Sequence, residues 1–143
     1  MRVRTKHVRV WTVSAVVIAF LLWLINGPTF LRLTMHGAPA SATAAEILPR
    51  THATVRYTFL VADRRYEGRA QLWRPNPEIN NVKVGDHLVA FYDPQNPEVS
   101  VLGYPKAMLE NELGTIALAA TIFPTFILFA LRRHRSRREL CVA

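Results

Sequence analysis

Hydrophobic and polar positions follow two different rhythms along this chain, and each rhythm keeps to its own stretch. Near the two ends lie uncharged apolar runs, Val10–Leu31 built around VSAVVIAFLLWLI and Leu113–Leu131 reading LGTIALAATIFPTFILFAL. At about 1.5 Å per residue, each run is long enough to cross a hydrocarbon layer of roughly 30 Å as a helix. A chain of 143 residues has no core large enough to hide two such helices. Two transmembrane helices are therefore predicted at 10–31 and 113–131, the second entered by a helix from Pro105.

Between the runs the period changes from helix to strand. Residues 32–43 read as a linker, small side chains with one glycine and one proline. Val55, Tyr57, Phe59 and Val61 then alternate with Thr54, Arg56 and Thr58, and Tyr66, Gly68, Ala70 and Leu72 alternate with Arg65, Glu67, Arg69 and Gln71. A two-residue turn at Asp63-Arg64 would place Phe59 over Gly68 and Tyr57 over Ala70, with every pair on the apolar face. Residues 74–83 form a loop by their prolines and asparagines. Gly85 suits a positive φ and Asp86 can bond nearby amides, so Val84-Gly85-Asp86 is a tight turn. His87–Tyr92 is a third strand, Asp93-Pro94-Gln95-Asn96-Pro97 a rigid turn, Glu98–Leu102 a fourth strand, and Ala44–Leu48 a candidate fifth. The predicted fold is a membrane protein in which two transmembrane helices flank a small antiparallel sheet or part-open β-barrel, residues 44–104.

Charge sharpens this picture. The net charge is +8 and the pI near 10.6, values that suggest a nucleic-acid-binding protein. Its distribution suggests otherwise. Arg2, Arg4, Lys6 and Arg9 precede the first run, and Arg132, Arg133, Arg135, Arg137 and Arg138 follow the second, opposed only by Glu139. Each tail is net +4, while residues 32–112 carry nine basic and nine acidic side chains. Basic flanks stay cytoplasmic, so both termini are expected inside, against anionic headgroups, and the β domain outside. Neither tail interleaves aromatics or polar readers as a nucleic-acid surface does. A cleaved signal peptide competes for the first run, since Ala38-Pro39-Ala40, Ala40-Ser41-Ala42 and Ala42-Thr43-Ala44 match cleavage motifs. The run is longer than an ordinary signal core.

The β segment resembles a mostly bacterial family of two-helix membrane proteins catalogued as a domain of unknown function. The likeness rests on Tyr57-x-Phe59-x-Val61, Tyr66-x-Gly68, Val84-Gly85-Asp86, and Tyr92-Asp93-Pro94-Gln95-Asn96-Pro97-Glu98 with Ser100. It covers roughly residues 44–102 and the helix arrangement. A departure is Ala62-Asp63-Arg64-Arg65, where the family usually has a glycine. The resemblance implies an architecture and a membrane address, and it implies no activity.

Catalytic chemistry finds little support. His7, His36, His52, His87 and His134 have no metal-ligand spacing, and Cys141 lies too near the end for a prenylation motif. Asp63, Asp86 and Asp93 fall at turns and Glu67 on a solvent face, so they read as structural rather than as general acids. No nucleophile elbow, phosphate loop or zinc-protease motif is present, and neither run carries an internal charge. Ala15-x-x-x-Ala19 and Ala117-x-x-x-Thr121 offer small-residue faces to another helix. The expectation is a cofactor-free, non-enzymatic protein whose β domain binds an envelope component, another membrane protein or itself. Tyr57, Phe59, Tyr66, Phe91 and Tyr92 are the candidate binding or core aromatics. Two other readings are a membrane enzyme using Asp86 and Asp93, and an accessory subunit of a membrane complex or transporter.

Overall fold

The computed structural model describes residues 2–48 and 53–140, with the side chains of 2–7, 131–132 and 134–140 outside that description. Its elements are helix α1 (Arg2–His36), strands β1 (Ala38–Leu48), β2 (Thr54–Val61), β3 (Arg64–Gln71), β4 (His87–Asp93) and β5 (Asn96–Leu102), and helix α2 (Pro105–Leu140). They group into two compact units, one of residues 1–26 with 112–143, the other of residues 27–111.

Both helices, whose greater part forms the first unit, contain stretches long and apolar enough to cross a membrane, Val8–His36 and Pro105–Ala130. Their outward side chains are those a lipid phase accepts, among them Val16, Phe20, Phe126 and Phe129. Three hydroxyls bond within their own helices: Thr12 donates to the Val8 carbonyl, Thr121 to Ala117 and Thr125 to Thr121. Trp11 Nε1 donates to Thr125 Oγ1 at 3.2 Å, joining the two helices. Pro124, inside α2, is buried. Thr121 of the small-residue face thus spends its hydroxyl on its own helix.

The second unit is a five-stranded antiparallel sheet in the order β3-β2-β1-β4-β5. It curls until β3 and β5 meet, with Leu72 bridging to Leu102, so the sheet is a nearly closed barrel. The expected linker is corrected here. Helix α1 runs to His36, Gly37 N–H bonds the Leu33 carbonyl at 2.9 Å, and the chain enters β1 at Ala38. Strand β1 is the centre of the sheet, well beyond the fifth strand expected at 44–48. Its inward residues are small because their neighbours are large. Ala42 faces Phe59 and Leu88, and Ala44 faces Tyr57. A barrel this narrow holds its aromatics only if the facing strand supplies methyl groups.

The β2–β3 register also differs from expectation by two residues. The loop is Ala62-Asp63, both at positive φ (48° and 63°), so Val61 pairs with Arg64, Phe59 with Tyr66 and Tyr57 with Gly68. Positive φ at both central positions defines the hairpin turn whose twist matches the strands. The even shift keeps every side chain on its face. It is Tyr57, not Phe59, that lies over Gly68, where an added Cβ would fall 2.4 Å from the Tyr57 ring. The second expected turn is shorter too. Only Pro94-Gln95 turn, while Asn96 and Pro97 already belong to β5, an outer strand that tolerates a proline.

Two predictions follow from these positions. Ala62→Asn puts a residue tolerant of positive φ at a site where alanine is strained, and should raise thermal stability by about 1 kcal/mol. Gly68→Ala should destabilise the barrel by about 1–3 kcal/mol as Tyr57 is displaced. Thermal unfolding of the full chain in detergent checks both.

Candidate binding cleft

The aromatic candidates divide between two places. Tyr57 and Phe59 are buried, and Phe59 stacks with Tyr57, Tyr66 and Tyr92 at centroid distances of 6.0, 5.8 and 5.7 Å. These four rings fill the barrel. The Tyr57 hydroxyl crosses it to Ser100 Oγ at 2.9 Å. Burial raises the Tyr57 pKa above its ordinary 10.0, and the bond to Ser100 only partly offsets this. Phe91 points the other way, into a cluster with Leu33 and Met108, and packs against Tyr104.

The turn residues hold backbone, as their types suggested. Gly85 has φ +95° at the third position of Lys83–Asp86, where a type II turn needs it. Asp86 Oδ2 accepts from the Lys83 N–H at 2.7 Å. Asp93 Oδ1 accepts from the Gln95 N–H at 2.9 Å. The two acids stand at opposite ends of β4, about 20 Å apart at strand rise, so the fold does not bring them together as an acid–base pair.

Asp93 does more than shape its turn. Its residue is 1% exposed, and Oδ2 meets Arg32 Nε of α1 at 2.6 Å, while Arg32 Nη2 reaches Gln95 Oε1 at 3.2 Å. The approach to Oδ2 is off the hydrogen-bond axis, so that oxygen has a charge contact and no directed bond. Sequence reasoning missed this pair because its partners are 61 residues apart and Arg32 reads as an end-of-helix flank.

A cleft of about 660 Å³ lies between the start of β1 and the β2–β3 hairpin. Its origin is local. The Ala44 N–H and C=O bond Asp86 and Gly85 on the β4 side, so by alternation Pro39, Ser41 and Thr43 turn their backbones toward β2. Pro39 has no N–H to give, and the β1–β2 ladder ends at Ala42–Phe59. Past that pair the hairpin leaves β1. Ser41, Thr43, Thr58, Phe59, Leu60, Arg65 and Tyr92 are among the lining residues. Thr58 is buried beneath Arg65, whose Nη2 lies 3.5 Å from Thr58 Oγ1. Arg64 turns away to lie over the Tyr66 ring.

Of the membrane-flanking cations, Arg9 and Arg133 are exposed on their helices. The side chains of Arg2, Arg4, Lys6, Arg132, Arg135, Arg137 and Arg138, and Cys141, lie outside the described residues. Among the described residues no three His, Cys, Asp or Glu side chains gather as metal ligands would. Comparison with protein-family models, curated proteins and solved structures finds no match to this chain.

Removing Arg32 strands a buried carboxylate. Because Arg32 itself is half exposed, Arg32→Met should cost roughly 2 kcal/mol rather than the 3–5 of a fully buried pair. Asp93→Asn keeps the acceptor for Gln95, so Arg32→Met with Asp93→Asn should recover more than half of that loss in a double-mutant cycle. Alkaline pH gives a second check. The unfolded chain ionises Tyr57 near its ordinary value and the folded chain resists, so this contribution is intact below about pH 10 and is lost as pH rises beyond it. Tyr57→Phe should flatten the fall in unfolding free energy above pH 10 by up to about 1.4 kcal/mol per pH unit.

Proposed function

We propose that this chain is a two-span integral membrane protein of a bacterial plasma membrane. Both termini are cytoplasmic, and the barrel is held on the opposite side as a non-catalytic binding module for an envelope component, a membrane protein or a second copy. The observation that carries this reading is the division of charge: both net +4 tails lie beyond the apolar helices, and the segment between them is neutral. The separation of Asp86 from Asp93 favours binding over acid–base catalysis. The position of β1 argues for a retained first helix, because cleavage at Ala38–Ala44 would sever the strand at the centre of the sheet. The resemblance to the two-helix family supports the same arrangement.

Cysteine labelling tests the topology. In a Cys141→Ser background, Ser41→Cys should react with a membrane-impermeant maleimide in intact cells, whereas native Cys141 should react only after permeabilisation. Labelling of Cys141 from outside would overturn the assignment.

A further inference from the structure

We propose that the cleft between β1 and the β2–β3 hairpin binds the phosphate of an anionic membrane lipid, with Arg65 as its counter-charge. This deepens the binding reading above and rests on α1 spanning the bilayer. Arg65 is, among the described residues, the one charged side chain lining the cleft. Among the described residues, the carboxylates in ion pairs belong to Arg32 and Arg56, and Arg65 makes only its long contact to Thr58. The guanidinium fork is therefore available to an incoming anion. Ser41, Thr43 and Thr58 add three hydroxyls to the lining, and Glu67, the cross-strand neighbour of Thr58, is not part of it. A phosphate accepts at several oxygens at once, and a guanidinium with nearby hydroxyls matches that pattern.

Depth selects the lipid over phosphate from solution. The cleft wall begins at Pro39, three residues after His36 closes α1. Three residues reach at most about 10 Å, and the headgroup layer beyond each face of the hydrocarbon is roughly 5–7 Å thick. The cleft wall thus starts within about 10 Å of the end of α1, near the bilayer surface if α1 spans. Leu60, 65% exposed on its rim, supplies an apolar side chain where the glycerol and upper acyl chain would lie.

The test is lipid retention by the full chain, purified in a neutral detergent and titrated with phosphatidylglycerol or phosphatidylcholine under native mass spectrometry. The wild type should prefer phosphatidylglycerol. Arg65→Gln should weaken that binding about fivefold, the equivalent of about 1 kcal/mol for one interfacial arginine. Thr58→Val should weaken it less and in the same direction. Arg69→Gln, on the same face of β3 but roughly 13 Å along the strand, should leave it unchanged. Absence of a preference, or equal losses from Arg65→Gln and Arg69→Gln, would overturn the proposal. Displacement of the lipid by inorganic phosphate at matching concentrations would also overturn it, in favour of a soluble anion. Should Arg65→Gln fail to fold, Thr58→Val and Ser41→Ala decide by the same criterion. Alkaline carbonate extraction separates the two levels: a chain released from membranes sinks the spanning reading, whereas a retained chain without lipid preference sinks this proposal alone.

Discussion

A carboxylate buried at the β4–β5 turn cannot stand without a counter-charge, and in this barrel the counter-charge comes from the helix that precedes it. Asp93 shapes its own turn through Oδ1 and presents Oδ2 to Arg32, near the end of α1. The pair ties the last turns of α1 to the β4–β5 turn, while Gly37 passes the chain directly into β1. Charge contact and covalent connection act together, so the helix end and the central strand are held at two points. Leu33, Phe91, Val101 and Met108 fill the space beside them with apolar contacts. The cost of desolvating Asp93 is accepted where it specifies one geometry for the junction.

The barrel interior follows from the same economy of space. Four aromatic rings occupy it, and Ala42 and Ala44 make room for them. Gly68 does so on the other side of Tyr57. Such a core has few ways to rearrange, since Tyr57 is matched to Ala44 and Gly68 and Phe59 to Ala42. The β1–β2 ladder ends at Ala42–Phe59, close to Pro39, which has no donor with which to extend it.

Much of this was legible in the residues, and the misses have physical reasons. The alternation of Val55–Val61 and of Tyr66–Leu72 named both faces of the hairpin correctly. Its register differs from the expected one because Ala62 occupies a left-handed position that propensity gives to glycine or asparagine, which puts the turn one residue earlier than the pattern predicts. Strand β1 is not legible over residues 38–43 because alanine carries almost no hydrophobic or β signal. Its period was nonetheless present, as alanine at 38, 40, 42 and 44. The alanines of the triplets that resemble cleavage motifs are the inward-facing positions of the central strand. The Arg32–Asp93 contact was beyond local reading altogether, since only the fold brings those residues together.

If the helix and the central strand are continuous, residues 34–43 belong to ordered backbone rather than to a tether. Hydrogen–deuterium exchange of the full chain in lipid nanodiscs tests this most directly. The account predicts slow exchange across 38–44, comparable to β4, with no fast break between α1 and β1. Rapid exchange throughout 34–43, while β2 and β4 stay protected, would contradict it.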